Sequence, residues 1–148
     1  SNNLSSLNEP LLSRQTSKKI YRISLIDSDH YPVAIRIEKN QFSSNIYWKY
    51  YEHNDGNDKT PSKYIQKSKK ISSLEWDKFR LIIDSVNFWN INTRCFDYRS
   101  NIGSNWLLEG IENNNYHFVE CGSLSYYYFR RCGEYLIKLT DLDLNHIR

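Results

Sequence analysis

The 148 residues match one ordinary domain, and 39% apolar content puts a hydrophobic core within reach. With 5 Gly and 3 Pro the chain is neither collagen-like nor compositionally disordered, and no apolar run is long enough to span a bilayer. A net charge of +3 suits an acidic partner but is too small to imply a polyanion ligand.

Residues 1–19 are rich in Ser, Asn and charge, with Leu4, Leu7, Leu11 and Leu12 scattered among them and Pro10 interrupting any helix. We expect a flexible leader; the alternative is a short helix that docks Leu11 and Leu12. No signal-peptide pattern opens the chain, and the initial serine fits a processed or a truncated N-terminus alike.

Tyr21, Ile23 and Leu25 then alternate with Arg22, Ser24 and Ile26, as a strand requires. After turn residues at 27–30 and Pro32, Val33, Ile35 and Ile37 form a second alternating set. Ile46, Trp48 and Tyr50 form a third. Three strands with short joins predict an antiparallel meander.

Residues 53–70 break the pattern and are expected to form a long loop, with Lys63, Lys67, Lys69 and Lys70 gathered at its end. Ser72 followed three residues later by Glu75 is a capping-box pattern. Trp76, Phe79, Ile82, Ile83, Val86 and Trp89 follow at helical spacing, predicting a helix over about 73–88 with one wide apolar stripe.

After an irregular stretch, residues 106–111 and 116–121 predict a hairpin around Asn113, Asn114 and Asn115, because Asn tolerates the positive φ of tight turns. Ser123 is a candidate cap for a closing helix that lines up Phe129, Cys132, Leu136 and Leu139. The expected fold is therefore α+β: an antiparallel sheet of about five strands with two helices on one face, in the order β-β-β-α-β-β-α. Residues 20–142 form the single domain and 143–148 a polar tail. The other face of the sheet carries Arg36, Glu38 and Lys49 and is expected to face solvent or a partner.

Chemistry-bearing patterns are sparse. The glycines are isolated, and Cys-x-x-Cys, His-Glu-x-x-His and Gly-x-Ser-x-Gly are all missing. We expect no catalytic residue, cofactor or metal site. Glu109, Glu112, His117 and Glu120 are the best catalytic constellation. A two-residue turn at Asn113 and Asn114 sets His117 opposite Gly110 and Glu109 and His117 on different faces, whereas a three-residue turn puts them on one face, the register a catalytic role needs. Asp27, Asp29 and His30 fit turn chemistry better than a metal cluster, and residues 54–58 lack calcium-loop spacing. Cys95, Cys121 and Cys132 allow one bridge and a free thiol or three thiols; we expect reduced, buried side chains.

The segment Trp106-Leu107-Leu108-Glu109-Gly110, a polar turn and Tyr116-His117-Phe118-Val119 resembles a Trp-x-Leu-Glu-Gly…Tyr-His-x-Val hairpin of small bacterial α+β proteins. Some of these are thought to be immunity or effector-associated proteins. The likeness covers about residues 101–139, and Cys121-Gly122-Ser123 replaces the Trp-Ser-Pro that follows the valine in those proteins.

The resemblance implies a bacterial immunity protein, of cytoplasm or periplasm, that neutralises a cognate protein toxin by direct binding. The expected partner-binding residues are Tyr47, Lys49, Tyr51, Lys63, Tyr64, Lys67, Tyr126 and Tyr127, which offer aromatic anchors among cations. The alternatives are an envelope-associated structural or adaptor domain, and a nucleic-acid-binding domain using the basic loop at 63–70 with Tyr64 stacking.

Overall fold

A computed structural model describes residues 7–12, 17–26, 32–52, 63–94, 105–122 and 127–143. Its strands are β1 (Lys19–Ile26), β2 (Val33–Lys39), β3 (Ser44–Glu52), β4 (Lys63–Ile71), β5 (Asn105–Glu112) and β6 (Asn115–Cys121). They form one antiparallel sheet in the order β4-β3-β2-β1-β5-β6. Two helices, α1 (Ser73–Ser85) and α2 (Tyr127–Leu139), pack against it, so the fold is α+β as the sequence pattern implies.

The strand β4 corrects the long-loop expectation for residues 63–70. Its alternation is hard to see because Lys67 and Lys69 stand between Ile65 and Ile71 on the helix-covered face. Lysine is unfavourable inside a sheet, but it is suited to an edge strand, where its charge discourages pairing with a foreign strand. Residues 53–62 lie outside the described residues.

Helix α1 starts with the capping box its sequence advertises. Ser72 Oγ accepts the Glu75 amide, and Glu75 Oε1 accepts the Ser72 amide in return. It stops at Ser85, short of the expected end, because Asn87 turns left-handed at φ 56°. Phe88 and Trp89 continue in a 3-10 turn (Phe88–Asn90) that still faces the core.

Trp76, Phe79, Ile83 and Val86 of this region meet Phe129, Cys132, Leu136 and Leu139 of α2 over Ile23, Ile35, Ile37, Ile46 and Trp48 of the sheet. Tyr21 is the hub of an aromatic cluster, with Phe79 at 5.4 Å, Phe88 at 5.9 Å, Trp76 at 6.1 Å and Trp89 at 6.2 Å between ring centroids. Much of the aromatic content is thus core. Gly110 faces this cluster: a Cβ there would lie 2.7 Å from the Tyr21 ring and 2.8 Å from Phe88.

The hairpin turn is the two-residue type. Asn113 and Asn114 both have positive φ, 52° and 65°, which pairs Gly110 with His117 and Glu109 with Phe118.

The opposite face of the sheet corrects the expectation of an open surface. Residues 7–12 lie over its middle, and the pair that docks is Leu7 and Leu12, not Leu11 and Leu12. Leu7 is fully buried among Ala34, Tyr51, Tyr64 and Leu107, and Leu12 among Ile20 and Ile111, whereas Leu11 is exposed.

Candidate interaction surfaces

Cross-strand register builds a charged row on this second face. Arg36, Arg22 and Glu109 stand side by side on β2, β1 and β5. Two like charges directly opposite one another repel, so the Arg22–Arg36 pair needs carboxylates to hold it. Glu109 grips Arg22 through Oε2, at 2.9 Å from Nε and 2.7 Å from Nη2. Glu38 accepts from Arg36 at 2.6 Å, and Lys18 lies 3.3 Å from its other oxygen.

The third carboxylate comes from the docked segment. Glu9, its side chain 1% exposed, lies 3.0 Å from Arg22 Nη1, 3.4 Å from Arg36 Nε and 2.9 Å from Lys49 Nζ. Main-chain oxygens of the segment are gripped as well. Tyr64 donates to Leu7 O at 3.0 Å, Lys49 to Asn8 O at 3.1 Å and Arg22 to Pro10 O at 2.7 Å. Burying two leucines contributes about 3–6 kcal/mol, whereas ordering the backbone of six residues costs at least about 6 kcal/mol. The polar contacts therefore decide whether the segment docks.

These contacts account for half of the expected partner-binding residues. Tyr47, Lys49, Tyr51 and Tyr64 do share one face, but their contacts are internal. Arg36 lies over the Tyr47 ring at 4.5 Å, and Tyr51 and Tyr64 meet at 5.4 Å around Leu7. Burial, with help from Tyr51 and Glu9, raises the pKa of Tyr64. Lys63 and Lys67 point to the other face, where Asp141 holds Lys67. That hydrogen bond is the main reason the Asp141 carboxyl sits below its ordinary pKa, and a second from Trp48 Nε1 at 2.9 Å adds to it. Tyr126 lies outside the described residues, and Tyr127 opens α2.

The catalytic constellation is split between the faces. Glu109 is locked to Arg22 and accepts from the Tyr116 hydroxyl at 2.7 Å, while His117 lies 2.8 Å from Ile91 O beside Phe88 on the helix side. Glu112 is also on the helix side, with its Oε1 2.7 Å from Arg80 Nε. Among the described residues no group of three His, Cys, Asp or Glu is placed to hold a metal, and residues 27–30 and 54–58 lie outside them. No helix among them is long and apolar enough to cross a membrane.

The cysteines take the one-bridge arrangement rather than the reduced one expected. Cys121 is disulfide-bonded and Cys132 is a buried free thiol, while Cys95 lies outside the described residues. Burial pushes the Cys132 thiol up to about 12, so it stays protonated and unreactive at neutral pH.

A second surface forms at the β4 edge. Among the described residues no strand pairs with the outer side of β4. Its four lysines line that edge, with Glu52 paired across the ladder from Lys63. Next to it, the β2–β3 turn projects Phe42, 86% exposed. Asn40 fixes this turn, its Oδ1 accepting from the amides of Phe42 and Ser43 at 2.8 and 2.9 Å. Phe42 is among the residues lining a cleft of about 450 Å³, together with Lys39, Lys70, Ile71 and Ser73.

Sequence reasoning missed Phe42. The signal was there in Asn40 to Ser43, a turn motif carrying an aromatic residue where no core stripe needs one. No protein-family model matches the chain, and no curated protein is significantly similar to it.

Proposed function

We propose that this chain is a non-catalytic binding protein that engages an acidic protein surface along the β4 edge, as an immunity protein would engage its toxin. The observation that carries this reading is the pairing of an exposed Phe42, on a hydrogen-bonded turn, with the lysine-rich outer strand. An exposed aromatic anchor amid cations is the composition of a binding hot spot, and it requires no reaction centre. The outer edge of β4, unpaired among the described residues, adds main-chain donors and acceptors that an extended segment of the partner can pair with. Tyr64 is engaged with Leu7 and Tyr51, which takes away the stacking platform a single-stranded nucleic acid would use.

The test is affinity capture with the whole chain as bait, alongside a K63E/K69E/K70E variant and Phe42→Ala. A protein whose toxicity the wild type suppresses, and whose affinity falls at least tenfold in both variants, supports the reading. Equal binding by all three baits sinks it. Retention of DNA or RNA with a steep salt dependence would assign the edge to phosphate contacts instead.

A further inference from the structure

The groove on the second face of the sheet holds residues 7–10 much as a binding domain holds a peptide. Leucine fills an apolar pocket, a carboxylate enters a ring of cations, and three side chains read main-chain oxygens. Main-chain reading of this kind suits any extended segment.

Charge shows which ligand fits. The cations Arg22, Arg36 and Lys49 come from three neighbouring strands. Among the described residues the sheet answers them with Glu109 and with Glu38, which Lys18 shares, and Glu9 supplies the carboxylate that reaches all three cations. The buried Arg36 Nε also lacks an aligned acceptor, so the groove has donor capacity that Glu9 does not use.

We propose that the groove formed by Arg22, Arg36, Lys49, Tyr51 and Tyr64 is a binding site for an extended acidic segment of a partner protein. That segment carries a leucine two residues before a glutamate, and residues 7–12 fill the groove as a displaceable internal ligand. The cis segment lowers apparent affinity by the fraction of time it stays docked. This inference is independent of the edge-strand reading, since it concerns the second face of the sheet rather than the outer edge of β4 and its lysines.

The probe is a fluorescent peptide with the sequence of residues 5–13, titrated into the full-length chain and a variant combining Leu7→Ala with Glu9→Gln. The variant should bind at least tenfold more tightly than the wild type, and a probe with glutamine replacing its glutamate at least tenfold more weakly than the original. Equal binding by wild type and variant, no binding by the variant, or indifference to the glutamine overturns the proposal. If the double variant fails to unfold cooperatively, Glu9→Gln alone takes its place under the same criteria. If that variant also fails to fold, the segment is an integral part of the fold and the proposal falls. A wild-type dimer that grows with concentration and exchanges residues 7–12 would give the groove to a second copy, which also overturns it. The K63E/K69E/K70E variant should bind the probe as the wild type does, separating this site from the edge.

Discussion

The two faces of the sheet are fastened by different physics. Under the helices, Phe79, Ile83, Leu136 and the Tyr21 cluster interlock by area, and stability is spread over many small contacts. On the other face a few charges are buried under a six-residue segment, and each depends on its neighbours. Burying a carboxylate or a guanidinium is expensive unless its partners stay in place. The first face should therefore yield gradually to substitution, and the second abruptly.

The largest effect sharpens that contrast. Arg22→Ala or Glu109→Ala leaves a buried charge without its main partner and should destabilise the fold by about 3–5 kcal/mol in urea denaturation. Replacing both, with Arg22→Met and Glu109→Leu, should cost less than either single change. A double variant at least as unstable as the sum of the two singles would show that the charged face is fastened like the apolar one. On the helix side, Gly110→Ala forces a methyl into the Tyr21 and Phe88 rings and should cost about 1–3 kcal/mol. A neutral result there would mean that the aromatic cluster is looser than its geometry.

The smallest effect lies at the rim, where Asp141 joins Lys67 and Trp48. Because folding lowers the Asp141 pKa, the carboxylate stabilises the fold above its unfolded value near 4, and that stabilisation is lost as pH falls through the folded value. The denaturation midpoint of Asp141→Asn should therefore lie slightly below that of the wild type at pH 7 and approach it near pH 2. A constant gap across that range would exclude the carboxylate as the source.

The parts of this fold that follow local rules were legible in the sequence. Ser72 and Glu75 announced a helix start, and the asparagines announced a hairpin turn, whose two-residue length in the structure decides which way Glu109 and His117 point. What escaped depends on contacts between distant residues. Lysines mask β4 because an edge strand is selected against foreign pairing as much as for its own. Residues 7–12 have no periodicity of their own; Glu9 and the two leucines acquire their places only once β1, β2, β3 and β5 have lined up Arg22, Arg36 and Lys49. Tyr47, Lys49 and Tyr51 were legible on one side of a strand, but Tyr64, expected in a loop, joins them only through the β3–β4 pairing, and sequence alone could not show that the chain supplies its own occupant there.

The position of β1 has a consequence for biosynthesis. This strand is central in space yet among the first made, and its second neighbour, β5, lies near the other end of the chain. At about 5–20 residues per second on a ribosome, one side of β1 stays unsatisfied for on the order of several seconds while the intervening chain is synthesised. Until Asn105–Glu112 emerges, the apolar side chains of that nascent strand are the ones a chaperone, or a neighbouring nascent chain, would meet first.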